Sequence, residues 1–143
     1  METLFAKQDR LLSLTSTEII RTLMYQINWD AQLVAIKGPR GVGKTTLMLQ
    51  YMKQHYEVYS REVLYCTLDS VYFSNHTLLE LVDVFVKNGG KHLFLDEVHK
   101  YPTWSKEIKE VYDMYPDLKV VFSASSLLNI LNADADLSLS LIH

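Results

Sequence analysis

The sequence holds a single cysteine, Cys66, among its 143 residues. One thiol cannot form an internal disulfide, nor can it build a cysteine-rich metal site. Because Cys66 lies within the apolar run Val63 to Leu68, we interpret it as a buried strand thiol rather than a catalytic one. The five histidines show no metal-ligand spacing, so none of them is assigned to a metal.

Long apolar runs are also absent, since none approaches the ~18 residues that predict a membrane-spanning helix. The first residues include Lys7, Asp9 and Arg10 and lack the apolar region and cleavage site of a signal peptide. These absences predict a cytoplasmic protein with no membrane partner. Basic charge is not in excess either: the net charge is −3 and the pI is about 5.9. Nucleic acid is therefore not supported as a partner.

What is present is the composition of an ordinary globular protein, with 48% hydrophobic and 22% charged residues. A chain of this length can bury the core of one domain. Short β-rich runs alternate with longer helical ones, which predicts an α/β fold with a mainly parallel sheet. We predict one domain over 1–143, with an N-terminal helical segment at 1–30 and an α/β core at 31–143.

The predicted elements place the polar residues of interest where predicted strands end. Ligands of parallel sheets bind beyond the carboxyl ends of the strands. The predicted order is helix 3–28, strand 33–36, helix 44–55, strand 63–68, helix 77–86, strand 92–95, helix 104–115, strand 119–122 and helix 127–131.

The segment from Gly38 to Thr45, GPRGVGKT, matches the phosphate-binding pattern G-x-x-x-x-G-K-[ST] at every fixed position. Glycines let successive N–H groups turn inward around a phosphate, and the following helix adds its N-terminal amides. Lys44 would reach the β- and γ-phosphates, and Thr45 would supply a ligand to Mg²⁺. A glycine-rich turn without ligand is the alternative. The predicted ATP-binding residues are Gly38, Pro39, Arg40, Gly41, Val42, Gly43, Lys44, Thr45 and Thr46.

A second motif consists of the apolar strand Leu93 to Leu95 followed by Asp96 and Glu97. Two carboxylates at the end of a buried strand are costly unless a cation or hydrogen bonds meet them. Asp96 is predicted to hold Mg²⁺ through its water shell. Glu97 is predicted to act as general base on the attacking water. The alternative is the start of a solvated loop.

A third group is the hydroxyl run after the fourth predicted strand, which is expected to lie beside the first strand of the parallel sheet. Ser123 is predicted to contact the γ-phosphate or the attacking water, with Ser125 as its competitor and a helix N-cap as the alternative for either. Arg40 and Asp69 stay open, because each could equally face solvent.

Together the segments 38–46 (GPRGVGKTT), 93–104 (LFLDEVHKYPTW) and 119–126 (KVVFSASS) resemble the prokaryotic AAA-type ATPases of the P-loop superfamily. The resemblance covers nearly the whole chain. It implies ATP hydrolysis and a P-loop three-layer sandwich of the ASCE division. It also implies that the strand ending in Asp96 lies next to the strand that enters the phosphate loop.

Two departures from the family pattern modify this expectation. The family usually has T-G-S-S where this chain has Ser123 to Ser126. The family also continues into arginines, a further strand and a winged helix, whereas residues 136–143 (DLSLSLIH) contain no arginine. We therefore expect the N-terminal core of a longer ATPase or a truncated product.

An arginine finger contributes roughly 10³ to 10⁵ in turnover, and no arginine follows Arg61. The chain is thus expected to bind ATP and to hydrolyse it slowly alone, with Arg40 and Arg61 as the local candidates for rescue.

Two other functions stay open. Asp96 to His99 spells a DExH box, typical of a helicase fragment that RNA or DNA would stimulate. A non-hydrolysing, nucleotide-dependent interaction module would instead present the helix at 77–86 or the N-terminal helices to a protein partner. A homo-oligomer is open in each case.

Overall fold

Four α-helices and five β-strands make up the part of the chain that the computed structural model describes, residues 1–20, 22–38, 43–125 and 140–142. The helices are α1 (Glu2–Ser13), α2 (Lys44–His55), α3 (Leu78–Lys87) and α4 (Trp104–Met114). The strands are β1 (Leu33–Gly38), β2 (Val63–Thr67), β3 (His92–Asp96), β4 (Lys119–Ser125) and β5 (Ser140–Ile142). Short 3-10 helices span Thr22–Tyr25, Val71–Ser74 and Val98–Lys100.

The five strands form one sheet in the order β2-β3-β4-β1-β5, and every pairing between them is parallel. The predicted α/β fold with a parallel sheet is confirmed. In register, Ile36 of β1 faces Ser123 of β4, and Thr67 of β2 faces Asp96 of β3. All carboxyl ends of the strands therefore lie at one edge of the sheet.

One expectation about strand order is wrong. The strand that ends in Asp96 was expected beside β1, but β4 lies between β1 and β3. The interior of β4 and the whole of β3 are buried, and such apolar runs fit any interior position of a sheet. The pattern therefore could not decide which strand adjoins β1. The expectation that β4 lies beside β1 is confirmed.

Strand β5 has no counterpart among the predicted elements and pairs with the outer side of β1. Its three residues are too few for alternation to separate a strand from a loop. The helix predicted at 127–131 lies outside the described residues.

The N-terminal helical prediction is too long, because α1 ends at Ser13. A run rich in hydroxyl residues follows, and such residues favour local side-chain bonds over a continuing helix. The hydroxyls of Ser13 and Thr15 donate to the carbonyls of Arg10 and Leu11, at 2.7 and 2.8 Å. Only the 3-10 helix Thr22–Tyr25 adds helical structure within the described remainder of 3–28.

Helix α3 (Leu78–Lys87) lies within one residue of the predicted bounds 77–86 at each end. The Thr77 hydroxyl accepts the N–H of Glu80 at 3.1 Å, and Gly89 follows the helix with φ of 93°, a conformation that favours glycine. Gly90 is fixed by space, since a Cβ there would lie 2.5 Å from the Phe85 ring. The apolar residues of α3 are mostly buried in the core (Leu78, Leu81, Val82, Phe85). That face is therefore not free to form the partner surface considered above.

Helices cover both faces of the sheet, which gives the predicted three layers. α1, α3 and α4 contribute to the core on one face, and α2 with Met24, Ile27 and Trp29 contributes to the core on the other. α1 also closes the edge of the sheet, where the Gln8 amide donates to Val63 O and accepts from Tyr65 N, at 3.1 and 2.7 Å. No helix in the described residues is long and apolar enough to span a bilayer.

His92, at the start of β3, is a buried polar residue within this core, with 1% of its surface exposed. Its Nδ1 lies 2.8 Å from the Tyr56 hydroxyl, and its Nε2 has no hydrogen-bond partner among the described residues. Burial, and next the nearby Lys119 charge, lower the pKa of His92 to about 4. The folded protein therefore holds His92 neutral at pH values where the unfolded chain protonates it.

We expect the free energy of unfolding to fall as pH drops from about 6.5 towards 4, because the unfolded state binds a proton that folded His92 does not. The His92 contribution has a slope of about 1.4 kcal/mol per pH unit. Urea denaturation of wild type and His92→Phe between pH 7 and 4.5 measures it, with the exposed His76→Asn as control. An equally steep slope in His92→Phe would contradict this assignment.

Candidate functional site

The candidate site lies where β1, β3 and β4 end and α2 begins. Gly38 is the last residue of β1, and Gly43 is the N-cap of α2 with φ of 85°, which glycine adopts without steric cost. Lys44, Thr45 and Thr46 form the first turn of α2. Pro39, Arg40, Gly41 and Val42 lie outside the described residues.

Lys44 links the two ends of the loop, because its ammonium donates to the Gly38 carbonyl. Partial burial lowers the pKa of Lys44, while the nearby charges of Asp96 and Glu97 act in the opposite direction. The Lys44 ammonium therefore lies close enough to interact electrostatically with both carboxylates. It also lies at the N-terminus of α2, and helix N-termini favour anions.

The Asp96 carboxylate is the centre of the site, with 2% of the residue exposed. Its Oδ2 accepts the hydroxyls of Thr45 and Tyr65, the latter at 2.6 Å. Its Oδ1 accepts the hydroxyl of Ser123 and the backbone N–H of Glu97, the latter at 3.1 Å. These four donors offset the cost of burying the carboxylate, and they come from α2, β2, β4 and the residue after β3.

Glu97 has an unusual backbone, with φ of 52° and ψ of 49°. This left-handed conformation costs a residue other than glycine about 1–2 kcal/mol. The conformation is held by the Glu97 N–H, which also donates to Ser123 Oγ at 3.0 Å. The side chain is held on the other side, where Glu97 Oε2 accepts the Thr67 hydroxyl at 3.0 Å.

Ser123 is fully buried and is bonded to the Asp96–Glu97 turn through both its donor and its acceptor. Its described contacts are thus to the two carboxylate residues, and a contact to phosphate or water stays a prediction. Ser125 lies opposite Gly38 at the end of β4. Asp69 is exposed, and its N–H donates to Thr67 Oγ1 at 3.2 Å.

Arg61 is not part of the site. It precedes β2, at the opposite end of the sheet, and forms an ion pair with Asp9 at 3.1 Å. Its guanidinium also lies 4.5 Å from the centre of the Phe5 ring. Arg61 therefore anchors α1 and cannot take the role of a local arginine finger in this arrangement.

Tyr65 and Thr67 belong to the site but were not predicted from the sequence. They are two positions apart on β2, so both point to the same face of the sheet, and each donates a hydroxyl to a neighbouring carboxylate. The available signal was this alternation of hydroxyl residues next to the end of a strand. It could be used only once β2 was known to pair with β3.

The side chains of the candidate site have the chemistry needed to bind a nucleotide together with Mg²⁺. Carboxylate and hydroxyl oxygens, from Asp96 and Thr45, are the hard ligands that Mg²⁺ prefers. The described residues contain no group of three or more histidine, cysteine, aspartate or glutamate side chains that could hold a metal. Mg²⁺ at nucleotide sites needs none, because it uses one or two carboxylates together with phosphates and waters.

Comparison with known proteins identifies the family. Residues 30–139, more than half of the chain, match the model of the AAA domain, so the chain belongs to the AAA domain family. It has the P-loop NTPase fold and is an ATPase-type, nucleotide-binding domain. The expected relation to AAA-type P-loop ATPases is thereby confirmed.

Other comparisons give little more. No curated protein matches the sequence. Among solved structures, PCH-2 of C. elegans is similar at 14% sequence identity with a TM-score of 0.46. The match covers 98% of this chain and 41% of that one, so this chain spans less than half the length of that protein.

The left-handed backbone at Glu97 predicts an unusual order of stability between two substitutions. Both Glu97→Gly and Glu97→Ala lose the bond to Thr67, but only glycine adopts a positive φ without steric cost. We expect Glu97→Gly to be more stable than Glu97→Ala by about 1 kcal/mol, measured by urea denaturation. The same pair at exposed Glu57, where no positive φ occurs, serves as control. A more stable alanine variant at position 97 would refute the argument.

Proposed function

We propose that this domain binds ATP with Mg²⁺ at residues 38–46 and hydrolyses it. The observation that carries the proposal is the hydrogen bond from Thr45 to Asp96. It joins the start of α2 to the end of β3, beside Lys44. This brings a hydroxyl, a carboxylate and an ammonium to the helix N-terminus, as binding of a metal–phosphate pair requires.

The phosphates would be bound mainly by groups at the start of α2. The first N–H groups of the helix have no partner within the helix and point towards the loop. Lys44 donates to a backbone carbonyl, and a triphosphate would offer its ammonium a charged acceptor instead. Charge-assisted hydrogen bonds are the stronger ones, so binding would favour this exchange.

Thr45 and Asp96 would hold Mg²⁺. Mg²⁺ held by these residues would supply positive charge to offset the negative charge that develops during phosphoryl transfer. The protein's part is to present the Thr45 hydroxyl as a ligand and the Asp96 carboxylate as an acceptor for the ion's water shell, and these two groups are already hydrogen-bonded to one another.

Glu97 would act as the general base. Its carboxylate would accept the proton of the attacking water, provided that it lies within hydrogen-bond reach of that water. Thr67 restrains this carboxylate by its hydrogen bond, while Ser123 fixes the backbone of the same residue. For hydrolysis, the Glu97 carboxylate would either break its hydrogen bond with the Thr67 hydroxyl or keep it while also accepting a proton from water. Turnover by the domain alone would be slow, because no described residue supplies an arginine to the site.

A non-hydrolysing interaction module remains the second proposed function, with a partner protein or a second copy bound in response to nucleotide. The hydrogen bond from the Thr67 hydroxyl to Glu97 Oε2 favours it, since a carboxylate that keeps this donor is a weaker base towards water. No observation in the described residues favours a helicase.

Lys44→Ala is expected to weaken ATP binding about 10- to 100-fold, because charge-assisted hydrogen bonds to phosphate contribute about 1.5–3 kcal/mol. Isothermal titration with a non-hydrolysable ATP analogue and Mg²⁺ measures the change. The exposed Lys106→Ala should bind as the wild type does. If Lys44→Ala kept full affinity, the nucleotide site would be wrongly placed.

Glu97→Gln distinguishes the two proposed functions. A general base contributes about 10²- to 10⁴-fold in rate, so the variant should retain ATP binding and lose at least about 100-fold in turnover. Phosphate release and binding are measured on the same preparation, with the exposed Glu57→Gln as control. Equal phosphate release by wild type and Glu97→Gln would favour the non-hydrolysing module.

A further inference from the structure

Tyr65 is a buried hydroxyl residue, 6% exposed, that the proposed function does not yet use. It lies in the middle of β2, and its hydroxyl donates to Oδ2 of Asp96, the last residue of β3, at 2.6 Å. Burial, and next the Asp96 charge, raise the pKa of Tyr65 above its ordinary value.

The backbone of Tyr65 is fixed as well. β2 is an edge strand, and the outward-facing N–H of an edge residue commonly lacks a protein partner. Here the Tyr65 N–H donates to the Gln8 side chain at 2.7 Å, while the Gln8 amide donates to Val63 O at 3.1 Å. A rigid strand thus delivers the hydroxyl to one particular oxygen of Asp96.

The two donors on Oδ2 are not equivalent. Thr45 is a proposed magnesium ligand, and its oxygen must turn towards the ion to act as one. Among the described residues, Tyr65 is then the donor that remains on Oδ2, while Ser123 and the Glu97 N–H remain on Oδ1. Partners that orient a metal-binding carboxylate typically contribute 10- to 100-fold in metal affinity.

We propose that Tyr65 is a positioning residue that fixes the orientation of the Asp96 carboxylate for Mg²⁺, and so sets the magnesium affinity of the nucleotide complex. This inference rests on the proposed function. It assigns Tyr65 no contact with nucleotide or metal, since its hydroxyl acts only through Asp96. The consequence is a separation of two affinities: loss of the hydroxyl should weaken magnesium binding and leave magnesium-free nucleotide binding intact.

The test compares wild type with Tyr65→Phe, which removes one oxygen and keeps the ring in the core. Binding of ADP, which is not turned over, is measured by titration calorimetry in EDTA and then at increasing Mg²⁺. We expect affinity in EDTA within about twofold of wild type, and a half-saturating Mg²⁺ concentration raised about tenfold. Thermal unfolding of each protein without ligand verifies that the variant is folded.

Tyr101→Phe is the matched control. Tyr101 is buried to a similar degree, 9% exposed, and its hydroxyl accepts the N–H of Leu78 at 3.2 Å, on the face of the sheet where α3 packs. It should leave both ADP affinity and the Mg²⁺ titration unchanged. This variant separates loss of a buried tyrosine hydroxyl in general from loss of the one on Asp96.

Three results would overturn the inference. A Mg²⁺ titration of Tyr65→Phe that superimposes on that of wild type would show that the hydroxyl does not position Asp96. Equal losses of ADP affinity in EDTA and in Mg²⁺ would show general disruption of the site. Failure of wild type to bind ADP at all would refute the proposed function, and this inference with it. The first two results would refute the inference alone and leave the proposed function standing.

Discussion

The buried carboxylate of Asp96 is the constraint on which the arrangement of the site depends. A charge removed from water must be met by donors or by a cation, and here α2, β2, β4 and the residue after β3 each supply a donor. Satisfying this one group therefore fixes the relative positions of α2 and three strands. The same network that stabilises the buried charge also keeps the proposed metal ligands together.

The strand order explains how residues far apart in the sequence reach this carboxylate. Because β4 lies between β1 and β3, Ser123 is placed between β1 and the Asp96–Glu97 turn. Because β2 lies on the other side of β3, Tyr65 and Thr67 approach the same two carboxylates from the opposite direction. Asp96 and Glu97, at the end of β3, are thus bonded from both neighbouring strands.

Those features of the fold and of the candidate site that depend on local residue patterns could be predicted from the sequence. The phosphate motif depends on residue spacing within one turn, and α3 is bounded by a threonine cap and two glycines, so both could be recognised locally. Strand order depends on which buried apolar runs pair, and β3 and β4 are equally apolar, so the neighbour of β1 was wrongly expected. Tyr65 and Thr67 were missed for the same reason: their partners are defined only by the pairing of β2 with β3.

The hydrogen bonds between Gln8 and β2 affect whether the sheet can pair with another molecule. An open edge strand offers a template on which another chain can add a strand, and proteins commonly block such edges. The side-chain amide of Gln8, in α1, is bonded to the backbone of Val63 and Tyr65. Helix α1 therefore blocks this edge of the sheet against pairing with a strand of another molecule. The opposite border, beyond β1, is extended by the protein's own strand β5. Self-association through the β2 edge would thus require α1 to detach first. Resistance to aggregation therefore depends on the packing of α1 against the sheet.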